Sequence, residues 1–237
     1  MNLILVDQQD FITTDTIVLY GRRFEHILQV HRAEVAQTLK VGLVNGNSGN
    51  GIIISINDQS VTLIVSFLQA PLTPLPLTLI LALPRPKMLK RILQSTAALG
   101  VKDIYLINSY KVDKSYWSSP VLSPACTTEH LQLGLEQAVD TIMPRIHLKK
   151  RFKPFVEDEL QAIADNSLKL VAHPYNAHPC PISVDQRSTL VIGPEGGFID
   201  YEIEKLAEQG FQAISLGERI LRVETAIPFC IAKLFSC

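Results

Sequence analysis

The rhythm of apolar and polar positions changes about a third of the way along the chain. Up to residue 70 the apolar stretches are short and rich in β-branched residues, at 1–6, 16–20, 51–56 and 61–67. They read as strands. The last two are separated by Asn57-Asp58-Gln59, which is hairpin chemistry. Residues 45–51 (NGNSGNG) form a turn-rich segment, and only 22–29 has helical spacing. A small β-barrel-like domain with one short helix is expected over 1–70. Residues 70–76 (APLTPLP) carry three prolines in seven positions. Proline fixes φ and donates no hydrogen bond, so 71–76 reads as a semi-rigid linker.

Beyond the linker, apolar strand patterns at 77–83, 104–107, 145–148, 168–173, 189–193 and 211–216 alternate mostly with helical patterns. The helices are expected at 87–99, 129–143, 155–164, 201–209 and 224–235, with Gly100 and Gly210 as stops for two of them. Strand and helix in alternation predict an α/β domain over 77–237, built on a mostly parallel sheet covered on both faces.

Composition narrows the functional classes. The 22 basic and 23 acidic residues leave a net charge of −1. That excludes a polycationic nucleic-acid tail but not local basic patches. The apolar runs are too short to span a bilayer, and the first residues lack the basic start of a signal peptide. Cys126, Cys180, Cys230 and Cys237 show no CxxC spacing, so a cytoplasmic protein with reduced thiols is expected. The His173, His178 and Cys180 group (HPYNAHPC) is too irregular for a metal site, and no metal is expected. Tyr116-Trp117 suits base stacking or packing under a loop.

Two loops carry the candidate chemistry. The strand at 189–193 runs into Gly193-Pro194-Glu195-Gly196-Gly197, ahead of a helix near Asp200. Glycines let backbone amides approach a ligand, and in open α/β sheets ligands bind outside the carboxyl ends of strands. The pattern is neither GxGxxG nor the phosphate loop GxxxxGK[ST], which argues against a standard dinucleotide site and an NTPase. One strand later comes Leu216-Gly217-Glu218-Arg219-Ile220-Leu221-Arg222-Val223-Glu224-Thr225-Ala226. There a strand end leads through two arginines to a helix start. Two such loops at neighbouring strand ends suggest one shared pocket.

GPEGGF followed by LGERILRVETA resembles the 16S ribosomal RNA uracil-N3 methyltransferase family (RsmE), within the SPOUT methyltransferases. Residues 87–101, including Gln94, the segment Leu135-Glu136-Gln137, and His26 to Arg32 with Val44-Asn45-Gly46 are similar to further stretches of that family. The resemblance covers nearly the whole chain. It implies a PUA-like RNA-binding β-barrel followed by a SPOUT α/β domain threaded into a deep trefoil knot. S-adenosylmethionine would lie in that knot between paired subunits. The family positions then fall on His173 and Pro174, on Gly193, Pro194, Glu195, Gly196 and Gly197, and on Leu216, Gly217, Ile220, Leu221, Thr225 and Ala226. Val223 stands where the family usually carries threonine, and Ala138-Val139-Asp140-Thr141 replaces its S/C-G-R.

The expected activity is methylation of uridine N3 in small-subunit ribosomal RNA by a cytoplasmic homodimer. The alternatives are methylation at another RNA site, or a non-catalytic RNA-binding assembly factor. Attack by N3 requires its anion, because neutral N3 has no free lone pair. Arg222 is the candidate for stabilising charge on the uracil carbonyls. Glu224 is either a base or the residue that orients Arg222. A carboxylate is a weak base at neutral pH, which favours the orienting role. Phosphate contacts are expected from Arg22, Arg23, His26, His31 and Arg32 on the barrel and from Arg85, Lys87, Lys90 and Arg91 on the α/β domain. Arg145, His147, Lys149, Lys150, Arg151 and Lys153 form a third basic cluster, of which the part from Lys149 to Lys153 reads as solvated surface.

Overall fold

A computed structural model describes residues 2–30 and 32–235; Met1, His31 and Cys237, named above, lie outside the described residues. The chain forms two compact units. One comprises Met1–Thr73 with Gln132–Met143, the other Pro74–Leu131 with Pro144–Cys237. A segment from the middle of the expected α/β domain thus packs with the N-terminal part.

In the first unit the elements are β1 (Ile4–Val6), β2 (Thr16–Tyr20), α1 (Gly21–Gln29), β3 (Thr38–Leu43), β4 (Ser48–Ile56) and β5 (Ser60–Gln69). The sheet order is β1-β3-β4-β5-β2. The β1–β3 pair is parallel and the others are antiparallel. Strand alternation sends Ile17, Leu19, Val61, Leu63, Val41 and Ile53 into one core. The expected β-barrel-like domain is a five-stranded sheet with β1 and β2 as its edge strands among the described residues. The sequence reading also missed β3 and began β4 three residues late. In β3, a Cβ on Gly42 would lie 2.6 Å from Thr141 and 2.9 Å from Leu3. Glycine there is a packing requirement that masks the strand pattern.

The middle segment belongs to this core for specific reasons. The Glu136 carbonyl accepts the N–H groups of Asn2 and Leu3 at 3.1 and 3.0 Å. Thr141 Oγ1 donates to the Gly46 carbonyl, and Met143 N–H donates to Asn45 Oδ1 at 2.9 Å.

The second unit contains β6 (Leu77–Ala82), α2 (Pro86–Ala98), β7 (Asp103–Ile107), the start of α3 (Pro124–Ala138), β8 (Arg145–Lys149), α4 (Phe152–Pro154), α5 (Leu160–Ile163), β9 (Leu168–Ala172), β10 (His178–Pro179), β11 (Ser188–Ile192), α6 (Asp200–Glu208), β12 (Gln212–Ser215) and α7 (Val223–Leu234). The seven strands run in the order β10-β12-β9-β11-β6-β7-β8, and every pairing is parallel. β6 and β11 are buried along their whole length, as strands covered on both faces must be.

Two helices differ from expectation. The helix expected at 129–143 is α3, five residues earlier at its start. Ser123 caps it: its carbonyl accepts Thr127 N–H at 3.0 Å and its hydroxyl accepts Cys126 N–H at 3.4 Å. Pro124 then opens the first turn, where its missing N–H costs nothing. The helix expected at 155–164 is a π-helical stretch, Phe155–Glu159, leading into α5.

Candidate functional site

In the second unit the strand register puts the two glycine-containing loops at one edge of the sheet, on either side of β9. Ala172 at the end of β9 pairs with Ile192 of β11 on one side and with Ile214 of β12 on the other. His173, Gly193 and Ser215 therefore lie at one level along the strand ends. This is the edge at which parallel α/β sheets bind ligands.

The Gly-rich loop is held by distinct constraints at each glycine. A Cβ on Gly193 would lie 3.1 Å from the Phe198 ring, and Phe198 is itself buried against Phe152. Gly197 has φ +70° and its N–H donates to the Pro194 carbonyl at 2.8 Å, closing a tight turn that needs glycine. Glu195 is partly exposed, and its Oε1 accepts the Arg85 backbone N–H at 3.2 Å. That bond links the loop to the chain leaving β6.

The second loop is open. Gly217 has φ +123° with nothing within 4 Å of a would-be Cβ, and the same space is free at Gly197. Leu216 and Leu221 are half-buried, whereas Ile220 is 74% exposed. The geometry provides bare backbone and uncovered apolar side chains beside each other. That suits a ligand with a flat apolar ring and a polar tail.

α7 then starts at the same edge. The Arg222 carbonyl accepts Thr225 and Ala226 N–H at 2.9 and 2.8 Å, so Arg222 caps the helix with its backbone. Its exposed guanidinium has no carboxylate partner among the described residues. Glu224 lies in the first turn, where negative charge suits the helix dipole, but it makes no ion pair with Arg222. The orienting role expected for Glu224 is absent from this geometry. Val223 is buried as the first residue of α7, where the family's threonine would place a hydroxyl.

His173 is half-buried beside Pro174, its ring edge-on to Tyr175 with centroids 5.8 Å apart. Burial holds its pKa below the ordinary histidine value; Asp200 opposes that and Lys111 adds to it. Lys111, Asp200 and Glu202 escaped the sequence reading. Glu202 is 2% exposed; its Oε1 accepts Tyr110 N–H at 2.7 Å and its Oε2 accepts Ile199 N–H at 3.1 Å. The one available signal was an acidic residue at the third position of α6, a common helix-start feature.

The expected RNA-contact residues divide into two groups. In the first unit, Arg22 is committed to Glu136 by two hydrogen bonds, and Arg23 to Asp10 by two more, at 2.6 and 2.7 Å. These arginines hold the unit together, which corrects their reading as freely available cations. Arg32 is exposed and His26 is half-buried. In the second unit, Arg85, Lys87 and Arg91 are exposed and Lys90 is half-buried at the start of α2. Among the described residues, only Arg85 of these approaches a carboxylate, that of Glu195, at 4.0 Å. By contrast Arg145 pairs with Asp103 at 2.9 Å, Lys153 with Glu157 at 3.9 Å, and Lys149 with Glu159. Trp117 Nε1 donates to Asn108 at 2.8 Å, which gives it a packing role. No helix among the described residues is long and apolar enough to cross a membrane.

Comparison with known proteins decides the family. The family model for the RNA methyltransferase domain matches residues 71–235. The chain is 31% identical over 157 residues to ribosomal RNA small subunit methyltransferase E of Mesomycoplasma hyopneumoniae, covering 65% of this chain and 67% of that one. The chain belongs to the ribosomal RNA small subunit methyltransferase E family of RNA methyltransferases. The methyltransferase E of Treponema pallidum is 28% identical over 232 residues, spanning 95% of this chain and 87% of its own length. The crystal structure of methyltransferase E from Neisseria gonorrhoeae, bound to S-adenosyl methionine, shares this chain's fold. Its TM-score is 0.76 at 22% identity, over 98% of this chain and 95% of that one. The RNA methyltransferase domain model begins at residue 71, in the proline-rich stretch ahead of β6.

Proposed function

We propose that this chain is an S-adenosylmethionine-dependent methyltransferase acting on uridine N3 of small-subunit ribosomal RNA. The observation that carries this reading is the alignment of the ends of β9, β11 and β12. It puts two glycine loops, with open space at Gly197 and Gly217, and an arginine that has no carboxylate partner among the described residues at one edge of the sheet, in a chain of the methyltransferase E family. The fold is that of a relative bound to the same cofactor.

Gly193, Pro194, Gly196 and Gly197 would border the cofactor on one side, with His173 and Pro174 next to them. Leu216, Gly217, Ile220 and Leu221 would cover its other side, and Thr225 and Ala226 would close the helix end. When bound, the cofactor supplies an electrophilic methyl group for in-line displacement. The chain's own residues then have two tasks. They fix the nucleophile in line, which supplies much of the rate. They also stabilise negative charge on the uracil carbonyls as N3 passes its proton to the Glu224 carboxylate or to water; Arg222, which has no carboxylate partner among the described residues, and the positive end of α7 serve that stabilisation. Arg85, Lys87, Lys90 and Arg91 form a basic surface that supplies affinity for RNA phosphates, with Arg32 as an exposed cation on the first unit. In this reading the N-terminal sheet is a PUA-like module, and the C-terminal domain is threaded and paired as in other SPOUT enzymes. It acts in the cytoplasm.

The experiment has two arms. Titration calorimetry with S-adenosylhomocysteine tests the pocket. Tritium transfer to small subunits from a strain lacking the enzyme, followed by nucleoside mass spectrometry, tests the chemistry. Labelled 3-methyluridine is the expected product. A different labelled nucleoside refutes the uridine assignment, and binding without transfer refutes catalysis.

A further inference from the structure

The loop that follows β7 lies against the Gly-rich loop and is tied to it twice. One tie is Glu202, whose buried carboxylate accepts a backbone N–H from Tyr110 on one side and from Ile199 on the other. The second tie is Lys111, whose Nζ donates to the Gly196 carbonyl at 2.8 Å. The lysine stem packs directly over Gly196: a Cβ there would sit 2.9 Å from Lys111 Cδ. The missing side chain at 196 is what admits the stem.

The peptide unit between Gly196 and Gly197 is consequently fixed at both ends. Its carbonyl is held by Lys111, and its N–H donates to the Pro194 carbonyl at 2.8 Å. A peptide flanked by two glycines has little steric resistance to flipping, because neither residue has a Cβ to restrict φ and ψ. A flip would turn the Gly196 carbonyl around and break the Pro194 turn. We propose that Lys111 is a positioning residue that locks the Gly196–Gly197 peptide in one orientation and so presets the loop for the adenosyl cofactor.

This inference rests on the cofactor reading given above. The ammonium also acts on the titration of His173, as does Asp200. The lock therefore stands among the charged groups at the same strand ends.

The test compares Lys111→Met, which keeps the stem and removes the donor, with Lys111→Arg, which restores one. Hydrogen exchange of the Gly197 amide is followed in the ligand-free full-length protein. Exchange should rise about tenfold in Lys111→Met, with the amides of β11 unchanged and the arginine variant close to wild type. Calorimetry with S-adenosylhomocysteine should show about tenfold weaker binding for Lys111→Met, with the KM for the methyl donor raised more than kcat is lowered. Unchanged Gly197 exchange in Lys111→Met overturns the lock, whatever the ligand. Raised exchange with unchanged affinity overturns its link to the cofactor. Failure of the wild type to bind S-adenosylhomocysteine refutes the cofactor reading and that link; the exchange measurement alone then decides the lock.

Discussion

Arg22 and Glu136 face each other fork to fork, 114 residues apart in sequence, through two hydrogen bonds of 2.9 Å. The arginine side chain is 42% exposed and the glutamate 2%, so the pair is asymmetric. Removing the arginine leaves a carboxylate buried without its counter-charge, whereas removing both leaves little unsatisfied. Arg22→Met should therefore cost about 2–3 kcal/mol, at the low end for a buried pair because the guanidinium reaches water. Arg22→Met with Glu136→Met should recover most of it. Urea unfolding of the four species in a double-mutant cycle measures this. Equal stability of Arg22→Met and wild type would show that the carboxylate is solvated.

Arg222 separates binding from chemistry. Its backbone caps α7 while its guanidinium has no carboxylate partner among the described residues, so Arg222→Ala should leave the fold and S-adenosylhomocysteine affinity within about twofold while lowering kcat about 100-fold or more. Arg222→Lys should restore part of the rate as a point charge without the planar fork. Single-turnover methyl transfer with saturating cofactor is the measurement. Equal turnover of Arg222→Ala and wild type would remove this residue from catalysis.

The basic start of α2 should set the salt dependence of RNA binding. Lys87 and Arg91 are exposed and lie four residues apart on one helix, so they share a face. The double alanine variant should lower the slope of log K against log salt by about 1–2. Filter binding to small subunits over a salt series reads it. An unchanged slope would take α2 out of the RNA footprint. Reversing charge at Arg22 or Arg23 would be a poor test, because both side chains hold structural carboxylates.

Acidification should weaken the site through His173. Burial keeps its folded pKa below the ordinary value of about 6.5. The unfolded chain then takes up the proton first as pH falls. Stability is lost from about pH 6.5 down to the folded pKa, and no further from this group below it. Melting temperatures from pH 7.5 to 5 should fall more steeply for wild type than for His173→Gln. Parallel curves would show that His173 is solvated.

The parallel sheet was legible because β6 (LTLILA) and β11 (STLVI) are mostly apolar without alternation, as strands covered on both faces are, and because such runs recur between helical patterns. The Gly-rich loop was legible as a strand end followed by clustered glycines, and the second loop as a strand end followed by two arginines and a helix start. The Lys111 and Glu202 ties were not. They join the loop after β7 to the loop after β11, and no local pattern encodes which lysine reaches which carbonyl. β3 was hidden by Gly42, whose packing against Leu3 and Thr141 is likewise non-local. Arg22 and Arg23 read as free cations because Glu136 and Asp10 become their partners only in the folded chain.

The return of Gln132–Met143 to the first unit has a consequence for biosynthesis. The N-terminal module cannot be completed when its own strands leave the ribosome, since Glu136 and its neighbours are translated some sixty residues after β5. Until then the nascent chain must wait with the amides of Asn2 and Leu3 unmatched. A fragment cut at the proline-rich stretch would carry the same deficit permanently, so the two halves of this protein mature together.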